Sequence, residues 1–399
     1  MTQDAKAHRD RAALVAGLTS VGLTPLLAGI VPTPAVAMTT RTTSACFGLM
    51  VSASHNKYED NGIKLFSPEG LKFDDPTEEA LEAAMAAAFD HSFAPPETIA
   101  MPQRLAGVGD DYVRSCLATV SSGSKIKGMK VVLDCAHGAG FETAPEALLH
   151  CGADLTVIGA GPDGININAG YGSTDTAALK AAVLKCGADI GLALDGDADR
   201  VIVVDETGTE IDGDQVMALI ARELHAAGRL KGGGIVSTVM SNMGLDRYLQ
   251  SLGLTLARTR VGDRYVGEHM RARGFNFGGE PSGHIILSDV STTGDGLLAG
   301  LHVLSVLAES GQKMSTLARV FEPAPQELVN IRYAGANPMD SARVKAALAE
   351  AESMMGTQGR MVVRKSGTEP LIRVMAEALE AGLMKRALQL VVDAVKAEA

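Results

Sequence analysis

Short apolar runs alternate with stretches of helical periodicity along most of the chain. Residues 130–135 (Lys-Val-Val-Leu-Asp-Cys) read as a strand, followed by the loop His137-Gly138-Ala139-Gly140 and a helix reaching His150. Residues 154–159 read as the next strand. Residues 176–185 read as a helix, with Leu179, Val183 and Cys186 at helical spacing. Residues 190–194 form an apolar strand that ends at Asp195, and 234–239, a helix from Met243 and 254–259 repeat the pattern. Strand–helix alternation of this kind predicts α/β architecture with largely parallel sheets and helices on their faces. Ligands in such sheets collect at the carboxyl ends of the strands.

The end of the chain reads differently. Strand (328–333), helix (341–352), two strands (360–364 and 371–377) and helix (383–396) form an α+β piece, and Met384, Leu388, Val391 and Val395 make one apolar face of the last helix. Turn-rich stretches near 102–109, 206–208 and 321–325 mark boundaries. The expected domains are 1–104, 105–206 and 207–322, three successive mixed or parallel-sheet α/β domains, and 323–399, the α+β domain.

The first segment imitates a secretion signal. Lys6, Arg9 and Arg11 precede an apolar stretch, and Ala35-Val36-Ala37 resembles a cleavage site. Asp4 and Asp10 interrupt the basic cluster, however, and Pro25, Pro32 and Pro34 break the apolar run. Residues 12–23 read instead as a helix with Val15 and Leu18 on its buried side, and 26–30 as a buried strand. No run supplies the ~20 apolar residues that a membrane helix needs.

Composition narrows the function. Lys and Arg number 36 against 47 Asp and Glu, a net charge of -11 that argues against non-specific binding to nucleic acid or an anionic membrane. Tryptophan is absent and aromatic residues are 4%, so base-stacking platforms are not expected. An anionic substrate would need a locally basic pocket. The five cysteines are scattered and form no C-x-x-C pair. They read as reduced, packed thiols in a cytoplasmic protein.

Four constellations carry chemistry. Ser52-Ala53-Ser54-His55-Asn56, with Asn61-Gly62-Ile63-Lys64 after it, follows an apolar strand (47–51). A serine hydroxyl becomes a nucleophile when a neighbour takes its proton or a cation lowers its pKa. His55 and Lys64 are candidates for that work, and Lys64 could also pair with phosphate; a polar helix-capping loop is the alternative. Asp195-Gly196-Asp197-Ala198-Asp199-Arg200 also ends a strand. Carboxylates at i, i+2 and i+4 of an extended chain point to one side and repel one another unless a hard divalent ion joins them. An EF-hand is excluded, because Arg200 stands where its turn glycine belongs and strands flank the motif, and a purely structural acidic turn is the alternative. Gly278-Gly279-Glu280-Pro281-Ser282-Gly283-His284 could bring Glu280 and Ser282 to vicinal hydroxyls, or could be only a tight turn. Arg364-Lys365-Ser366-Gly367-Thr368-Glu369-Pro370, with Arg373, suits a phosphate cradle, the alternative being a basic turn between strands.

Together, and in this order, the four motifs and Val261-Gly262-Asp263-Arg264-Tyr265-Val266 resemble the α-D-phosphohexomutase family over nearly the whole chain. The resemblance implies four domains around a cleft, each giving one loop. It implies that Ser54 is the phosphoserine, with His55, Lys64 and Arg200 in the catalytic set. The phosphate on Ser54, with Asp195, Asp197 and Asp199, would hold Mg²⁺. Glu280, Ser282 and His284 would contact the sugar, and Arg364, Ser366, Gly367, Thr368 and Arg373 would hold the phosphate that does not react. A mobile C-terminal domain would close to exclude water. Within the family the motifs fit interconversion of glucosamine 6-phosphate and glucosamine 1-phosphate through a bisphosphate, for cell-wall amino-sugar synthesis. The partner implied is a small hexosamine phosphate, with no nucleic acid or membrane, and a homodimer is left open.

Two departures qualify this. Lys57 stands where the family usually has proline. The family's opening strand, its Gly-Thr-Asp-Gly-Ile-Arg-Gly-like loop and the following helix and strand have no counterpart, about one and a half strand–helix units of ~30 residues. The first domain is therefore expected to be incomplete, through a shortened gene model or a degraded copy. An inactive sugar-phosphate-binding remnant and a mutase for mannose or glucose phosphates are the alternatives. A nicotinamide enzyme lacks its G-x-G-x-x-G strand turn, and a serine hydrolase lacks its G-x-S-x-G elbow.

Overall fold

A computed structural model of the chain describes residues 5–87, 94–95, 99–120, 126–335, 337–366 and 370–399. The polypeptide divides into two compact units: Met1–Val236 with Gly262–Arg319, and Ser237–Val261 with Val320–Ala399. The sheets are mixed parallel and antiparallel, where the alternation alone predicts largely parallel ones.

The first unit opens with helices Ala5–Ser20 and Thr33–Thr42. Two separate two-stranded sheets follow: Leu26–Leu27 parallel to Gln103–Arg104, and Gly48–Ser52 antiparallel to Gly62–Phe66. The expected strand over 26–30 is thus only two residues long, because Gly29 turns the chain at φ 83°, outside β geometry. An apolar cavity of about 260 Å³ is lined by both sheets and the first helix, through Leu14, Leu18, Leu26, Leu27, Phe47 and Leu49. Ala35, Val36 and Ala37, which imitate a cleavage site, are buried in the second helix, where Pro34 sits in the first turn and its missing N–H costs nothing.

A five-stranded sheet comes next, in the order Asp154–Ile158, Lys130–Asp134, Ile190–Leu194, Val201–Asp205, Glu210–Ile211. The first three strands are parallel and the last two antiparallel. Ile190–Leu194 is the central strand and every residue of it is buried, so its sequence is an unbroken apolar run rather than an alternation. Helix Ala177–Cys186 buries Leu179 and Val183. Cys186 is exposed, because it is the last helical residue before left-handed Gly187. Cys46 is exposed too, so only Cys116, Cys135 and Cys151 are the packed free thiols expected.

Farther along, Phe277–Gly279 pairs in parallel with Gly234–Thr238 at Gly278 and Val236, and antiparallel with Ile285–Leu287. Helix Gly296–Ser310 is apolar almost all round and almost wholly buried. Its N-cap Asp295 accepts from Leu298 N at 2.9 Å and from the Tyr112 hydroxyl at 2.7 Å. No described helix is long and apolar enough to cross a membrane.

The second unit is an antiparallel sheet with Leu371–Ala378 between Gln326–Arg332 and Gly359–Lys365, joined by helices Ala342–Met355 and Ala381–Glu398. Residues 237–261 group with this piece rather than with their sequence neighbours. The reason lies at the start of helix Met243–Ser251, where Met243 N donates to Glu377 Oε2 at 2.9 Å and Asn242 Nδ2 donates to Ala324 O at 2.9 Å. The buried Glu377 carboxylate at a helix N-terminus is further paired with Arg360.

The last helix turns Met384, Leu388, Val391 and Val395 inward, all buried, onto Ile372 and Val374. Leu388→Ala should therefore destabilise the protein by about 2–5 kcal/mol, from lost transfer energy plus a cavity. Gln389→Ala, on the exposed face, should change stability by less than about 0.5 kcal/mol. Urea unfolding of the two variants beside the parent checks both; equal midpoints would show that this face is not packed as described.

Candidate active site

Three loops of the first unit meet at one place. The first leaves strand Gly48–Ser52. Its Ser54 takes φ 52°, a left-handed conformation uncommon outside glycine, and is held there from several sides. Ser54 N donates to Ser52 Oγ at 2.8 Å, Gly196 N donates to Ser54 O at 3.1 Å, and Asn168 Nδ2 donates to Ser54 O at 2.8 Å and to Asn56 O at 2.7 Å. Ser52 is thereby a buried brace, while Ser54 is half-buried and turned toward the carboxylates. Ser54 Oγ lies 3.4 Å from His55 Nδ1 and 3.5 Å from Asp195 Oδ2.

The second loop carries Asp195, Asp197 and Asp199, all buried, each offering an oxygen within 4.8 Å of the others. They do not converge by strand alternation, as the sequence spacing predicts. Ala198 N closes a turn on Asp195 O at 3.0 Å, and Ala198 itself is left-handed at φ 58°, so the chain coils and brings the carboxylates together. Gly196 is required at the crest, since a Cβ there would sit 2.5 Å from Ser54 O.

Cations answer this charge. Lys64 Nζ lies 2.5 Å from Asp197 Oδ2 and 2.7 Å from Asp199 Oδ2. Burial works against its charge, but Asp197 and Asp199 outweigh it and keep the ammonium protonated well above its ordinary range. Arg200 Nε lies 4.0 Å from Asp195 and 3.9 Å from Asp199. Burial and the two neighbouring carboxylates push Asp195 well above the usual carboxylate range. Asp199 would also be raised by burial, but Lys64 and His284 hold it well below. His55 is lowered by burial and by Arg200, which favours the neutral imidazole.

Three buried carboxylates form an all-oxygen donor set of the kind that suits a hard divalent cation. Asp197 Oδ1 is buried with no hydrogen-bond partner among the described residues, which also fits. Lys64 already neutralises two of the three, so a cation bound here must share them with it.

The third loop is the turn joining Phe277–Gly279 to Ile285–Leu287. Ser282 is exposed at its tip, and half-buried Glu280 accepts from Gly262 N at 3.1 Å. His284, which the resemblance groups with the sugar contacts, is 2% exposed and lies beside Asp199 and Asp263.

In the second unit, Arg364 and Arg373 stand directly opposite one another on adjacent strands. Burial and the facing Arg373 lower the pKa of Arg364, and both Nε atoms are buried without a partner among the described residues. Like charges placed so want an anion between them. Ser366 is buried, with its N–H on Leu371 O at 2.8 Å. Gly367 and Thr368 lie outside the described residues.

Sequence reasoning missed two contributors. Thr33, whose hydroxyl donates to Asp197 Oδ2 and whose N–H donates to Asp197 O at 2.9 Å, was hidden in a Pro-Thr-Pro stretch that reads only as a break in an apolar run. Asn168 was hidden in a loop without periodicity. Its left-handed φ of 58° is the clue, since asparagine tolerates that region.

Comparison with known proteins accords with this geometry. Four models of the phosphoglucomutase/phosphomannomutase family match in chain order: α/β/α domain I over residues 7–91, domain II over 110–208, domain III over 212–324 and the C-terminal domain over 328–394. A phosphoglucosamine mutase of Hyphomonas neptunium is 70% identical over 388 residues, 97% of this chain and 86% of the relative. One from Caulobacter vibrioides is 52% identical over 385 residues, 96% and 86% of the two chains. Among solved structures, a phosphoglucomutase/phosphomannomutase family protein of Burkholderia thailandensis superposes with TM-score 0.82 at 21% identity, over 100% of this chain and 88% of the other. An Aspergillus fumigatus N-acetylphosphoglucosamine mutase, in complex with GlcNAc-6P and magnesium, gives TM-score 0.71 at 20% identity, over 92% of both chains. At such identities the solved structures speak for the fold, whereas the close relatives and the four ordered models carry membership: the chain belongs to the phosphoglucomutase/phosphomannomutase family, the α-D-phosphohexomutases.

Proposed function

We propose that this chain interconverts glucosamine 6-phosphate and glucosamine 1-phosphate, with Ser54 as the carrier of the phosphoryl group. The observation that carries the reading is the braced left-handed turn that holds Ser54 Oγ 3.5 Å from Asp195 Oδ2, beside two further buried carboxylates. The hexosamine assignment is supported by the name of the relative 70% identical to it. In this reading 1–104 gives the phosphoserine loop, 105–206 the carboxylate loop, 207–322 the sugar loop and 323–399 the phosphate cradle. The five free thiols accord with work in the cytoplasm.

A phosphoserine brings a charge of about -1.5 to -2 into a site that already holds three carboxylates. Asp195, Asp197, Asp199 and the phosphate on Ser54 would hold Mg²⁺, which supplies neutralisation of that charge when bound. The remaining steps belong to the protein and the sugar. A sugar hydroxyl attacks phosphorus in line; its new O–P bond forms as the bond from Ser54 Oγ breaks. The attacking hydroxyl loses a proton and Ser54 Oγ gains one. His55, neutral and 3.4 Å from Ser54 Oγ, is placed to pass that proton. Lys64 and Arg200 act as fixed positive charge, since Lys64 is held protonated by its carboxylate partners. The sugar then carries two phosphates, and the reverse step returns the other one to Ser54. Glu280 and Ser282 would hold the hydroxyls. Arg364, Ser366, Gly367, Thr368 and Arg373 would hold whichever phosphate is not reacting.

With glucosamine 6-phosphate, Mg²⁺ and a trace of hexosamine bisphosphate, the purified chain should form glucosamine 1-phosphate. Faster turnover of glucose or mannose 6-phosphate under the same conditions would move the substrate assignment to those sugars. Asp197→Ala should lower turnover by roughly 100-fold or more while the circular-dichroism spectrum is retained, because charge stabilisation is lost and like-charge repulsion relieved. Normal turnover of that variant would remove the metal assignment. Arg373→Ala should raise KM roughly 10- to 150-fold, the value of one charge-assisted hydrogen bond of ~1.5–3 kcal/mol. An unchanged KM would exclude Arg373 from phosphate binding.

A further inference from the structure

A cavity of about 160 Å³ lies between two helices of the first unit, and none of its described lining residues belongs to the four motifs. Helix Gly296–Ser310 presents His302, Ser305, Val306 and Glu309 to it, at helical spacing. Helix Gly213–Ala226 contributes Ile220, Glu223 and Leu224, and Val120 completes the wall. Val120, Ile220, Leu224 and Val306 are buried and make an apolar floor. Charge stands at the rim, where Glu309 and Arg229 are exposed and half-buried Glu223 is already paired with Arg222 at 3.0 Å.

His302 is the polar group at depth. It is 8% exposed, its ring lines the cavity, and it makes no hydrogen bond among the described residues. Burial, and after it the Arg229 cation, push its pKa down to about 4, so the ring is neutral at pH 7. It then offers one N–H donor and one lone-pair nitrogen, both unmet among the described residues. Leaving such a group without a partner costs stability, and a ligand that supplies the partner recovers it.

The walls select the class of ligand. Among the described residues only Asp195, Asp197 and Asp199 gather as three metal-ligating side chains, and the charge that acts on the His302 ring is a cation, so a metal ion does not suit. Glu223 and Glu309 at the rim disfavour an anion. A neutral molecule remains, apolar enough to match the floor, with one O–H or N–H for the imidazole. An apolar cavity of roughly 150 Å³ takes up benzene, which sets the size at a single ring. We propose that this cavity binds a small neutral ring compound bearing one hydroxyl or N–H group, seated on Val120, Ile220, Leu224 and Val306 and hydrogen-bonded to His302. The site does not depend on the mutase reading.

Phenol is the probe, and benzene is the control that lacks the hydroxyl. The full chain is labelled with ¹³C at histidine Cε1, and the signal lost in His302→Leu assigns the His302 ring. Phenol should move that signal along a saturable curve with a Kd on the order of 1 mM, within reach of a ligand of this size. Ser305→Leu, at a half-buried position on the same wall, fills the cavity and should weaken phenol binding about 10-fold or more. In His302→Leu, followed by saturation transfer to the ligand, phenol affinity should fall roughly 3- to 10-fold while benzene affinity holds or rises. A His302 signal that phenol leaves in place, or moves without saturation, would show that water alone occupies the cavity and would overturn the proposal. Parent-like phenol affinity in Ser305→Leu would put the binding elsewhere and overturn it equally. Unchanged phenol affinity in His302→Leu would remove the hydrogen bond and the proposal with it. Should His302→Leu fail to fold, His302→Gln assigns the signal and Ser305→Leu alone decides.

Discussion

Three carboxylates in one buried turn repel one another, and the centre of this molecule is arranged to hold them together. Desolvation and mutual repulsion each favour protonation, which is why Asp195 is pushed well above the usual range. Asp197 and Asp199 keep their charge company through Lys64, at 2.5 and 2.7 Å, and Asp199 also through His284. Backbone geometry does the remainder: Ala198 accepts a left-handed conformation and Gly196 lets the serine loop close down to contact. In the proposed reading a phosphoryl group carried on Ser54 would add negative charge to this place, so the cations seen here, and the divalent metal that the reading adds, would follow from the turn.

That arrangement explains why the site draws on distant parts of the chain. Ser54, Lys64 and Thr33 come from the first segment, Asn168 and the three aspartates from the next, and His284 and Asp263 from the third. Ser54, Asn168, the three aspartates and His284 stand on loops, Lys64 on strand Gly62–Phe66, and Thr33 and Asp263 in the first turns of helices. The central strand Ile190–Leu194 is buried at every residue and ends directly at Asp195, so the carboxylate turn starts from a fully buried strand. Precision at the reacting atoms then follows from the core.

Much of this was legible in the sequence. Strand 190–194 and its acidic loop, the strand before Ser54, the order of the four motifs and the apolar face of the last helix are all local patterns. They depend on period and on residue type. What was not legible depends on where distant residues meet. Thr33 and Asn168 have no local signature as partners of Asp197 and Ser54, and neither has the burial of His284 beside Asp199. The expected strand over 26–30 fails because one glycine at position 29 turns the chain. The three carboxylates of the acidic loop do gather, but not in the shape that alternation predicts. Alternation predicts an extended chain, whereas Asp195 O accepts from Ala198 N and makes a turn.

The central claim is that Ser54, and not its buried neighbour Ser52, carries the phosphoryl group. Ser52 Oγ is already occupied by the Ser54 amide at 2.8 Å, whereas Ser54 Oγ lies beside His55 and Asp195. The decisive measurement is peptide mapping by mass spectrometry after incubation with glucosamine 1,6-bisphosphate and Mg²⁺. The account predicts a single phosphate on Ser54 that disappears on addition of excess glucosamine 6-phosphate. Phosphate on Ser52, or on no serine of this loop in a protein that turns over, would contradict it.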